Sequence, residues 1–489
     1  LYVDTVNQTA LTETAIRAMV KELDPHSAYL NIEEVKELNE PLQGNFEGIG
    51  VSFNILNDTI FIVNTIAGGP SEKVGVMGGD RIIKIDGELV AGIKITNKTV
   101  FKKLRGNKGT KVVISVLRKG SKNLIDFTIT RDKIPIYSID AAYMLDKETG
   151  YIKLDRFSQT TNEEFAKALK KLQSQKMKNL ILDLTGNGGG LLDEAAMLAD
   201  QFLEKDKLLV YTKGRKTRRQ DFFSTSQGLF EKGKLVIMID ENSASASEIL
   251  SGAIQDWDRG IIVGRRSFGK GLVQRPLMYP DGSMLKLTIA HYYTPSGRDI
   301  QRPYKNGNSD EYYNDFINRY KHNELSNKDS IHFVDSLKKL TLVLKRPVFG
   351  GGGIMPDIFV PIDTSMYSDY YRDLLRNGTL YKFVLNYIDT NRIALKKQYP
   401  DFQKFNASYC AEQLFPAMID FASKDNIKFN QQQFEQSKNA ISKLLKAYIA
   451  RDIWDSSEFF QVFNSDDPII KEALKAIDQY DTIISPPKK

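Results

Sequence analysis

The sequence has little cysteine and little histidine. Cys410 is the single cysteine among 489 residues, which excludes an intrachain disulfide framework and leaves the redox compartment undetermined. We expect that cysteine to be a small buried hydrophobic side chain. The four histidines, at positions 26, 291, 322 and 332, offer few bases for proton transfer. A serine nucleophile therefore needs a base other than imidazole, unless His291 completes a Ser-His-Asp arrangement.

Long apolar runs are also missing, since no stretch reaches the roughly 18 apolar residues of a membrane span. The chain begins at Leu1 rather than at methionine, so we expect that an upstream signal or anchor could precede it. The net charge of +7 is spread over 68 basic and 61 acidic residues, too diffuse for a nucleic-acid interface. Attraction to an anionic surface stays open. The length and a hydrophobic content of 41% predict a globular chain of two to four domains.

The first region, residues 1–45, has apolar positions at helical spacing and is predicted to be a helical segment. Asp24-Pro-His-Ser27 interrupts it, because proline disfavours helix at the preceding residue. His26 in this loop is expected to be a structural hydrogen-bonding residue.

Three further domains are predicted from changes in pattern. They are a β-rich domain at residues 46–134, a domain of alternating strands and helices at residues 135–364, and an all-α domain at residues 365–489. Within the domain at residues 135–364, residues 303–345 are polar and are predicted to form a mobile insertion.

In the β-rich domain, Gly48-Ile-Gly-Val51 directly precedes a predicted strand. Such a loop can present backbone N–H groups to a peptide's terminal carboxylate while the peptide adds as an extra strand. The order of features resembles a PDZ domain. This resemblance implies peptide binding by Gly48, Ile49, Gly50 and Val51, with Phe53 and Leu104 lining an apolar groove. The alternative is a small β-barrel without a peptide site.

The glycine-rich turn Thr185-Gly-Asn-Gly-Gly-Gly190 follows a predicted apolar strand. It has neither the Lys-Ser/Thr of a phosphate-binding loop nor the spacing of a dinucleotide fingerprint. Its backbone N–H groups are better suited to stabilising an oxyanion.

The central stretch runs from Glu241 to Gln274 and contains a run of serines followed by a lysine between glycines. Lysine can act as a base if burial lowers its pKa, and Phe268 could exclude water from Lys270. The amide of Gln274 could orient the amine. The alternative for Lys270 is a surface lysine in a glycine turn. Glu248 and Asp256 are expected to be a first-turn charge and a solvent-face charge of the following helix.

Several motifs in one order resemble the C-terminal processing (tail-specific) serine peptidase family, over residues 10–362. The motifs are Leu23-Asp-Pro-His-Ser27, the PDZ-like domain, Leu182-Asp-Leu-Thr-Gly-Asn-Gly-Gly-Gly190, Ser243-Ala-Ser-Ala-Ser-Glu-Ile249, Phe268-Gly-Lys-Gly-Leu-Val-Gln274 and Gly352-Gly-Ile-Met-Pro-Asp357. The resemblance implies a multidomain α/β (α+β) chain. In it, a PDZ domain precedes a sheet-plus-helices peptidase domain of the crotonase/Clp-protease-like kind, and an all-α domain follows.

The same resemblance implies a Ser/Lys dyad assisted by glutamine. Ser245 matches the nucleophile, Lys270 the general base and Gln274 its orienting partner. The oxyanion donors match the N–H groups of Ala246 and of a glycine in the turn, for which Gly189 is preferred and Gly188 is second. Ser243 and Ser247 are expected to be structural.

One departure concerns the glycine turn, where Thr185 stands in the position at which the family commonly has arginine. Any ion pair of that arginine is therefore in doubt. The insertion 303–345 and the helical region after residue 365 lie outside the shared core, and their roles stay open.

The resemblance predicts a serine endopeptidase for polypeptides with apolar C-termini, without metal or organic cofactor and without nucleic-acid partners. It also implies a PDZ domain that gates the site, export to the bacterial cell envelope (periplasm), and membrane-associated or envelope substrates. The helical domain could bind an adaptor or a second copy in a homo-oligomer. The alternatives are a catalytically silent PDZ-bearing scaffold or adaptor, and an acyl-transfer enzyme for small esters or thioesters.

Overall fold

The computed structural model describes residues 2–485. It divides into two compact units, each built from separate parts of the chain. The first unit contains the residues up to Gly44, Tyr137–Ile362 and the residues from Asp466 onward. The second contains Asn45–Ile136 and Asp363–Ser465.

The first unit is organised on a six-stranded sheet. Its strands, in spatial order, are Ile139–Met144, Thr149–Leu154, Asn179–Asp183, Leu235–Ile239, Ile261–Gly264 and Ile358–Phe359. The first pair is antiparallel and the remaining pairs are parallel. The parallel strands consist almost entirely of buried apolar residues, as expected for a sheet covered on both faces by helices.

A second, five-stranded antiparallel sheet completes the framework of this unit. It comprises Ala28–Leu30, Met284–Tyr293, Leu208–Lys213, Gln220–Phe223 and Leu272–Met278, the last of which pairs with Met284–Tyr293. The short strand Ala28–Leu30 lies in a region for which only helix was predicted. A strand of three residues is too short to show a clear alternating pattern in the sequence.

The first two helices of this unit, Gln8–Lys21 and Ile32–Gln43, lie on either side of the Asp24–Ser27 loop. The other helices are Thr161–Ser174, Leu192–Asp200, Ala246–Asp256, Ser309–Tyr313, Asp315–Lys321, Pro468–Asp478 and Tyr480–Ile483. Short 3-10 turns at Lys328–Ser330 and Asp335–Leu337 and a hairpin of Lys338–Leu340 with Pro347–Phe349 complete the insertion.

The last two helices belong to the first unit and not to the helical domain predicted at 365–489. Lys234 Nζ donates to the carbonyl of Ile477 at 3.0 Å, and the hydroxyl of Tyr480 donates to the carbonyl of Arg259 at 2.6 Å. The predicted domain is therefore too long at its C-terminal end. Amphipathic periodicity shows that a segment is helical, but it does not show which core the apolar face covers.

The second unit contains the PDZ-like domain, whose bounds agree with the prediction of 46–134 within two residues. Its strands are Asn45–Gly48, Val51–Leu56, Thr59–Thr65, Arg81–Ile85, Glu88–Leu89, Lys111–Leu117, Ile125–Thr130 and Asp132–Pro135, and its helices are Pro70–Lys73 and Asn97–Leu104. Val51–Leu56 is an edge strand of the main sheet, within the part of the chain that the structure describes.

The helical part of the second unit consists of six α-helices and a 3-10 turn at Ala411–Leu414. The α-helices are Asp369–Arg376, Thr379–Gln398, Phe402–Ser408, Phe415–Lys424, Gln431–Ile453 and Ser456–Phe463. They share an aromatic-rich core, as predicted for the Tyr and Phe positions. Cys410, which was expected to be buried, is exposed in the segment before the 3-10 turn. No described helix is long and apolar enough to cross a membrane.

The PDZ-like domain and these helices pack together through Thr379–Gln398. Leu385 is 1% exposed and packs against Leu56, Phe61 and Val63 of the PDZ-like sheet. Beside this contact, Arg81 forms an ion pair with Asp389 at 2.8 Å. The predicted separation of these two regions into independent domains therefore misses a shared apolar interface.

We predict that Leu385→Ala destabilises the second unit by about 2–5 kcal/mol, because the substitution removes buried apolar surface and leaves a cavity. Ile393→Ala, at a residue of the same helix that is 87% exposed, should change stability by no more than about 0.5 kcal/mol. Differential scanning calorimetry measures both. Equal unfolding midpoints for the two variants would contradict the packing described.

Candidate active site

The serine run lies on a tight turn between the buried strand Leu235–Ile239 and the helix Ala246–Asp256. Ser243 and Ser247 are fully buried, and their hydroxyls donate to the carbonyls of Leu184 and Asn187 at 2.8 and 2.9 Å. These two serines therefore join the turn to the neighbouring glycine-rich segment, the structural role expected of them.

Ser245 differs from both neighbours. Its φ is +55°, in the left-handed region that non-glycine residues rarely adopt, and the residue is partly exposed. Its hydroxyl donates to no group within the described residues. Backbone strain of this kind is maintained only where surrounding contacts hold it, and it presents the side chain at the start of the helix.

The glycine turn packs directly against Ser245. A Cβ on Gly189, whose φ is +100°, would lie 2.8 Å from the Cβ of Ser245 and 2.7 Å from the carbonyl oxygen of Ala244. Only glycine fits this position without a shift. Asn187 fixes the turn, because its Nδ2 donates to the Leu154 carbonyl at 2.9 Å and its own carbonyl accepts from the Ala244 N–H at 3.0 Å.

The resemblance prefers Gly189 to Gly188 as an oxyanion donor, but the structure leaves a different set of N–H groups available. The Gly189 N–H donates to Oδ1 of Asn187 at 2.8 Å and is already used. Within residues 2–485, the N–H groups of Gly188 and Ala246 have no hydrogen-bond partner. Gly188 and Ala246 are thus the two candidate donors that this conformation leaves available.

Lys153 supplies the positive charge next to the glycine turn, where Thr185 replaces the family's arginine. Its buried amine lies 3.1 Å from the Asp183 carboxylate and donates to the Thr185 hydroxyl at 2.9 Å. The Thr185 hydroxyl in turn donates to Asp183 at 2.7 Å. The Asp183 carboxylate thus forms an ion pair with a lysine from the adjacent strand.

The lysine loop is attached to the serine turn through Glu248, which is 0% exposed. One carboxylate oxygen accepts from the Ser245 N–H at 2.8 Å and from the Lys270 N–H at 2.9 Å. The other accepts from the Gly269 N–H at 2.7 Å and from the Ser267 hydroxyl at 2.6 Å. Glu248 lies in the first turn of the helix, as predicted, but its carboxylate is buried and bound by four donors.

Asp256 at the other end of the helix is also buried, against the prediction of a solvent-face charge. Its carboxylate pairs with the fully buried Arg298 at 2.5 Å and accepts from the Ser296 N–H at 2.8 Å. All residues of Ala246–Asp256 are buried, so this helix has no solvent face for either acid.

A second side chain joins the same two loops. The Tyr292 hydroxyl, on the strand Met284–Tyr293, lies within hydrogen-bonding distance of the carbonyl oxygens of Ser245 and Lys270, the former at 3.0 Å. Burial raises the pKa of Tyr292 well above its ordinary value, so its hydroxyl remains a donor. The backbones of Ser245 and Lys270 are thus brought close together by Glu248 and Tyr292.

The Lys270 side chain is largely enclosed, as predicted from its neighbours. The pKa of its amine is lowered to about 8, chiefly by burial and also by the charge of Lys286, while Glu248 and Asp24 oppose the decrease. An amine with this pKa is neutral in an appreciable fraction of molecules near pH 8, which is the requirement for a base. Within the described residues no hydrogen bond joins the Lys270 amine to the Ser245 hydroxyl.

No hydrogen bond joins the Gln274 amide to the Lys270 amine in the part of the chain that the structure describes. Its Nε2 donates to the Thr288 hydroxyl at 3.4 Å, and that hydroxyl donates to Asp24 at 3.0 Å. Asp24 also accepts from the N–H of Ser27 at 2.9 Å, so the loop 24–27 closes on itself. The loop therefore belongs to the surroundings of the lysine and glutamine.

His26 in that loop has the structural role predicted for it. Its Nε2 lies 2.9 Å from the Tyr312 hydroxyl. Burial lowers the pKa of His26 to about 3, and the charge of Lys270 adds to the effect, so the imidazole is neutral.

His291 does not complete a serine triad. Its Nδ1 lies 2.8 Å from Asp299, which raises the pKa of the imidazole. Successive side chains of a strand point to opposite faces, and Tyr292 is the residue that reaches Ser245. His291 therefore faces away from the serine.

The insertion is folded against the lysine loop. Arg319 donates to the carbonyls of Ser267 and Phe268 at 2.8 and 3.1 Å. The Arg302 guanidinium lies 4.0 Å from the centre of the Phe268 ring and 3.9 Å from that of Tyr312. Arginines are frequent in polar segments, so their composition alone could not show these contacts.

The predicted peptide site is in the second unit. Gly50 has a φ of +74°, and the N–H groups of Ile49 and Gly50 have no hydrogen-bond partner in the described part of the chain. Val51 and Phe53 are partly exposed on the edge strand. Leu104 is 4% exposed and belongs to the domain core, so it supports the groove from beneath.

Comparison with known families matches most of this architecture. The profile described as "Peptidase family S41" matches residues 148–306, which include Gly188, Ser245, Lys270 and Gln274. The profile described as "PDZ domain" matches residues 48–129. A family of unknown function matches residues 370–455, the helical part of the second unit.

Individual relatives cover the same part of the chain. The carboxy-terminal-processing protease of Bartonella bacilliformis is 38% identical over 305 residues, 61% of this chain and 69% of the relative. Carboxy-terminal processing protease CtpB of Bacillus subtilis is 37% identical over 305 residues, and this chain spans less than two thirds (63%) of it. Among solved structures, the photosystem II D1 C-terminal processing protease has a TM-score of 0.39 at 24% identity, covering 73% of this chain and 84% of that one.

We predict that Lys270 titrates near pH 8. Labelling of Ser245→Ala protein with 1-fluoro-2,4-dinitrobenzene, followed by mass spectrometry, gives the pH at which the reaction rate of each lysine is half-maximal. Only the neutral amine reacts, so the Lys270 rate should level off above about pH 9, while exposed Lys167, whose pKa Glu163 raises, still gains reactivity. A Lys270 midpoint as high as that of Lys167 would contradict the enclosed site.

Proposed function

The chain belongs to peptidase family S41, which confirms the resemblance, and we propose that it is a serine endopeptidase acting by a Ser245/Lys270 mechanism. In this proposal the PDZ domain recognises the C-terminal ends of unfolded or precursor proteins. The observation that carries the catalytic part is that the Ser245 and Lys270 backbones share one buried carboxylate, while two unpartnered N–H groups lie on the turns around Ser245 within residues 2–485.

In the first step, the neutral Lys270 amine removes the proton of the Ser245 hydroxyl as its oxygen attacks the peptide carbonyl carbon. The N–H groups of Gly188 and Ala246 donate to the oxyanion of the tetrahedral intermediate. The C–N bond then breaks, the ammonium of Lys270 gives its proton to the leaving amine, and an acyl ester remains on Ser245.

In the second step, a water molecule hydrolyses the ester. The amine of Lys270 accepts a proton from the water, whose oxygen attacks the acyl carbon, and the proton returns to Ser245 as the C–O bond breaks. Since no hydrogen bond joins serine to lysine in the described residues, substrate binding must bring the two side chains together. Such tightening in the substrate complex is common in enzymes.

Gln274 is proposed to orient the lysine amine once the substrate has arrived. This requires its amide to leave the Thr288 hydroxyl, a bond of 3.4 Å that is at the long end of the hydrogen-bond range. Thr288 keeps its own partner, Asp24, in either position of the amide.

Substrate capture is proposed to occur at Gly48–Val51. The N–H groups of Ile49 and Gly50 would hold the terminal carboxylate, while the peptide extends along the edge strand Val51–Leu56. Val51 and Phe53 supply apolar surface for the last side chains, which favours apolar C-termini. Export to the cell envelope, envelope substrates, a homo-oligomer and an adaptor for the helical region remain predictions.

We expect Ser245→Ala and Lys270→Ala each to reduce cleavage of fluorescein-labelled casein at least about 10³-fold, because each removes one reacting group. Ser251→Ala, in the same helix with its hydroxyl on the Ser247 carbonyl, is the matched control and should retain activity. Retained turnover in Lys270→Ala would overturn the dyad. An inactive wild-type protein would support a silent scaffold.

The same assay tests substrate capture with two forms of one peptide substrate, which end in a free apolar carboxylate or in its amide. The free form should be cleaved with the lower KM. Equal KM values would exclude capture through the carboxylate while leaving the dyad intact.

A further inference from the structure

The Glu248 carboxylate is the only acidic group that touches both halves of the proposed dyad within residues 2–485. It accepts from the N–H of Ser245 and from the N–H of Lys270 through the same oxygen. These residues are 25 positions apart in sequence and lie on separate loops. A single oxygen atom therefore fixes how closely the two backbones approach.

The second carboxylate oxygen extends this clamp to the rest of the lysine loop. It accepts from the Gly269 N–H and from the Ser267 hydroxyl, and the Ser267 hydroxyl oxygen also accepts from the Ile354 N–H at 2.6 Å. Glu248 thus connects the serine turn, the lysine loop and the Gly352–Asp357 segment. Tyr292 complements it, since it contacts the carbonyl oxygens of the same two residues.

We propose that Glu248 is a positioning residue of the reaction: its carboxylate sets the spacing between the nucleophile Ser245 and the base Lys270 by holding both of their N–H groups. The inference rests on the proposed function. In the described part of the chain, the Glu248 carboxylate makes no hydrogen bond with the Ser245 hydroxyl or with the Lys270 amine, so it acts through the two backbones.

The geometry favours the ionised form of this acid. A carboxylate has about four acceptor positions, and four partners occupy them, three of which are backbone N–H groups that can only donate. Burial raises the pKa of Glu248, and the hydrogen bonds from Ser267, Lys270, Gly269 and Ser245 oppose that effect. The four donors favour the charged form, because each hydrogen bond is stronger toward an anion than toward a neutral acid.

The same charge acts on the lysine amine. The groups that face Lys270 are Glu248 and Asp24, which raise the pKa of its amine, the Lys286 ammonium, which lowers it, and the neutral imidazole of His26. Removal of the Glu248 charge leaves Asp24 as the opposing carboxylate. The lysine should then become neutral at a lower pH.

The test compares Glu248→Gln with the wild-type enzyme in casein cleavage across pH. In the glutamine variant, an NH2 group replaces one acceptor oxygen and faces at least one backbone N–H donor in either orientation of the amide. We expect kcat to fall by about 10²-fold, the effect typical of a misplaced reacting group, with KM changed by less than about 3-fold. The acidic limb of kcat/KM should move to lower pH by about half a unit or more, since the variant lacks a charge that raises the lysine pKa.

Glu241→Gln is the matched control. Glu241 is 7% exposed, lies four residues before Ser245 and pairs with Arg265 at 2.6 Å, and among the described residues its carboxylate makes no hydrogen bond to Ser245 or Lys270. The Glu241→Gln variant loses a buried charge in the same loop. It should therefore be less stable than the wild type, while the acidic limb of its kcat/KM profile stays at the wild-type pH. An unmoved limb or wild-type kcat in Glu248→Gln would overturn the inference, as would equal behaviour of the two variants.

A glutamine variant that does not fold is replaced by Glu248→Asp, which keeps the charge and shortens the reach. If Glu248→Asp folds, its kcat should fall while the acidic limb of its kcat/KM profile stays at the wild-type pH. A wild-type kcat in this variant would contradict the positioning role of Glu248. Failure of the proposed function gives a different pattern, in which Lys270→Ala retains the wild-type rate. The pH midpoint of Lys270 labelling is a further readout that does not depend on activity. We expect this midpoint to be lower with the Glu248→Gln substitution than without it.

Discussion

A buried carboxylate with four donors is the interaction on which the catalytic arrangement depends. Moving a carboxylate out of water without partners costs at least several kcal/mol, so Glu248 is tolerated only because N–H and O–H groups fill all its acceptor positions. Each of those donors belongs to a segment that must be correctly placed for catalysis. The free energy that favours a satisfied acid therefore also favours the assembled site.

Lysine as a base imposes a second constraint, because its amine must be partly neutral. Enclosure by the loop 24–27, the lysine loop and the folded insertion supplies the low-dielectric surroundings that lower its pKa to about 8. Asp24 and Glu248 limit the decrease, and Lys286 increases it. The structure thus balances desolvation against charge, and residues distant in sequence make up most of that balance.

The sequence predicted the bounds of the PDZ-like domain within two residues, and the family, since periodicity and ordered motifs are local properties. It also ranked Ser245 above Ser243 and Ser247, for which the structure gives the reason. It could not predict Glu248, Tyr292 or Lys153, because their roles arise from contacts between strands and loops far apart in the chain. The burial of Glu248 and Asp256 was missed for a related reason: charge favours exposure unless the fold brings partners to it. The side-chain oxygen of Asn187 occupies the Gly189 N–H in this conformation and so favours Gly188 as the oxyanion donor, a contact that periodicity does not encode.

The central claim is that a lysine-activated Ser245 attacks a carbonyl whose oxyanion is bound by backbone N–H groups. A crystal structure with a peptide boronic acid tests it directly. The account predicts boron bonded to Oγ of Ser245, one boronate oxygen on the N–H groups of Gly188 and Ala246, and the Lys270 amine about 3 Å from Oγ. Boron on another residue, or a Lys270 amine that remains outside hydrogen-bonding distance of the adduct, would contradict the account.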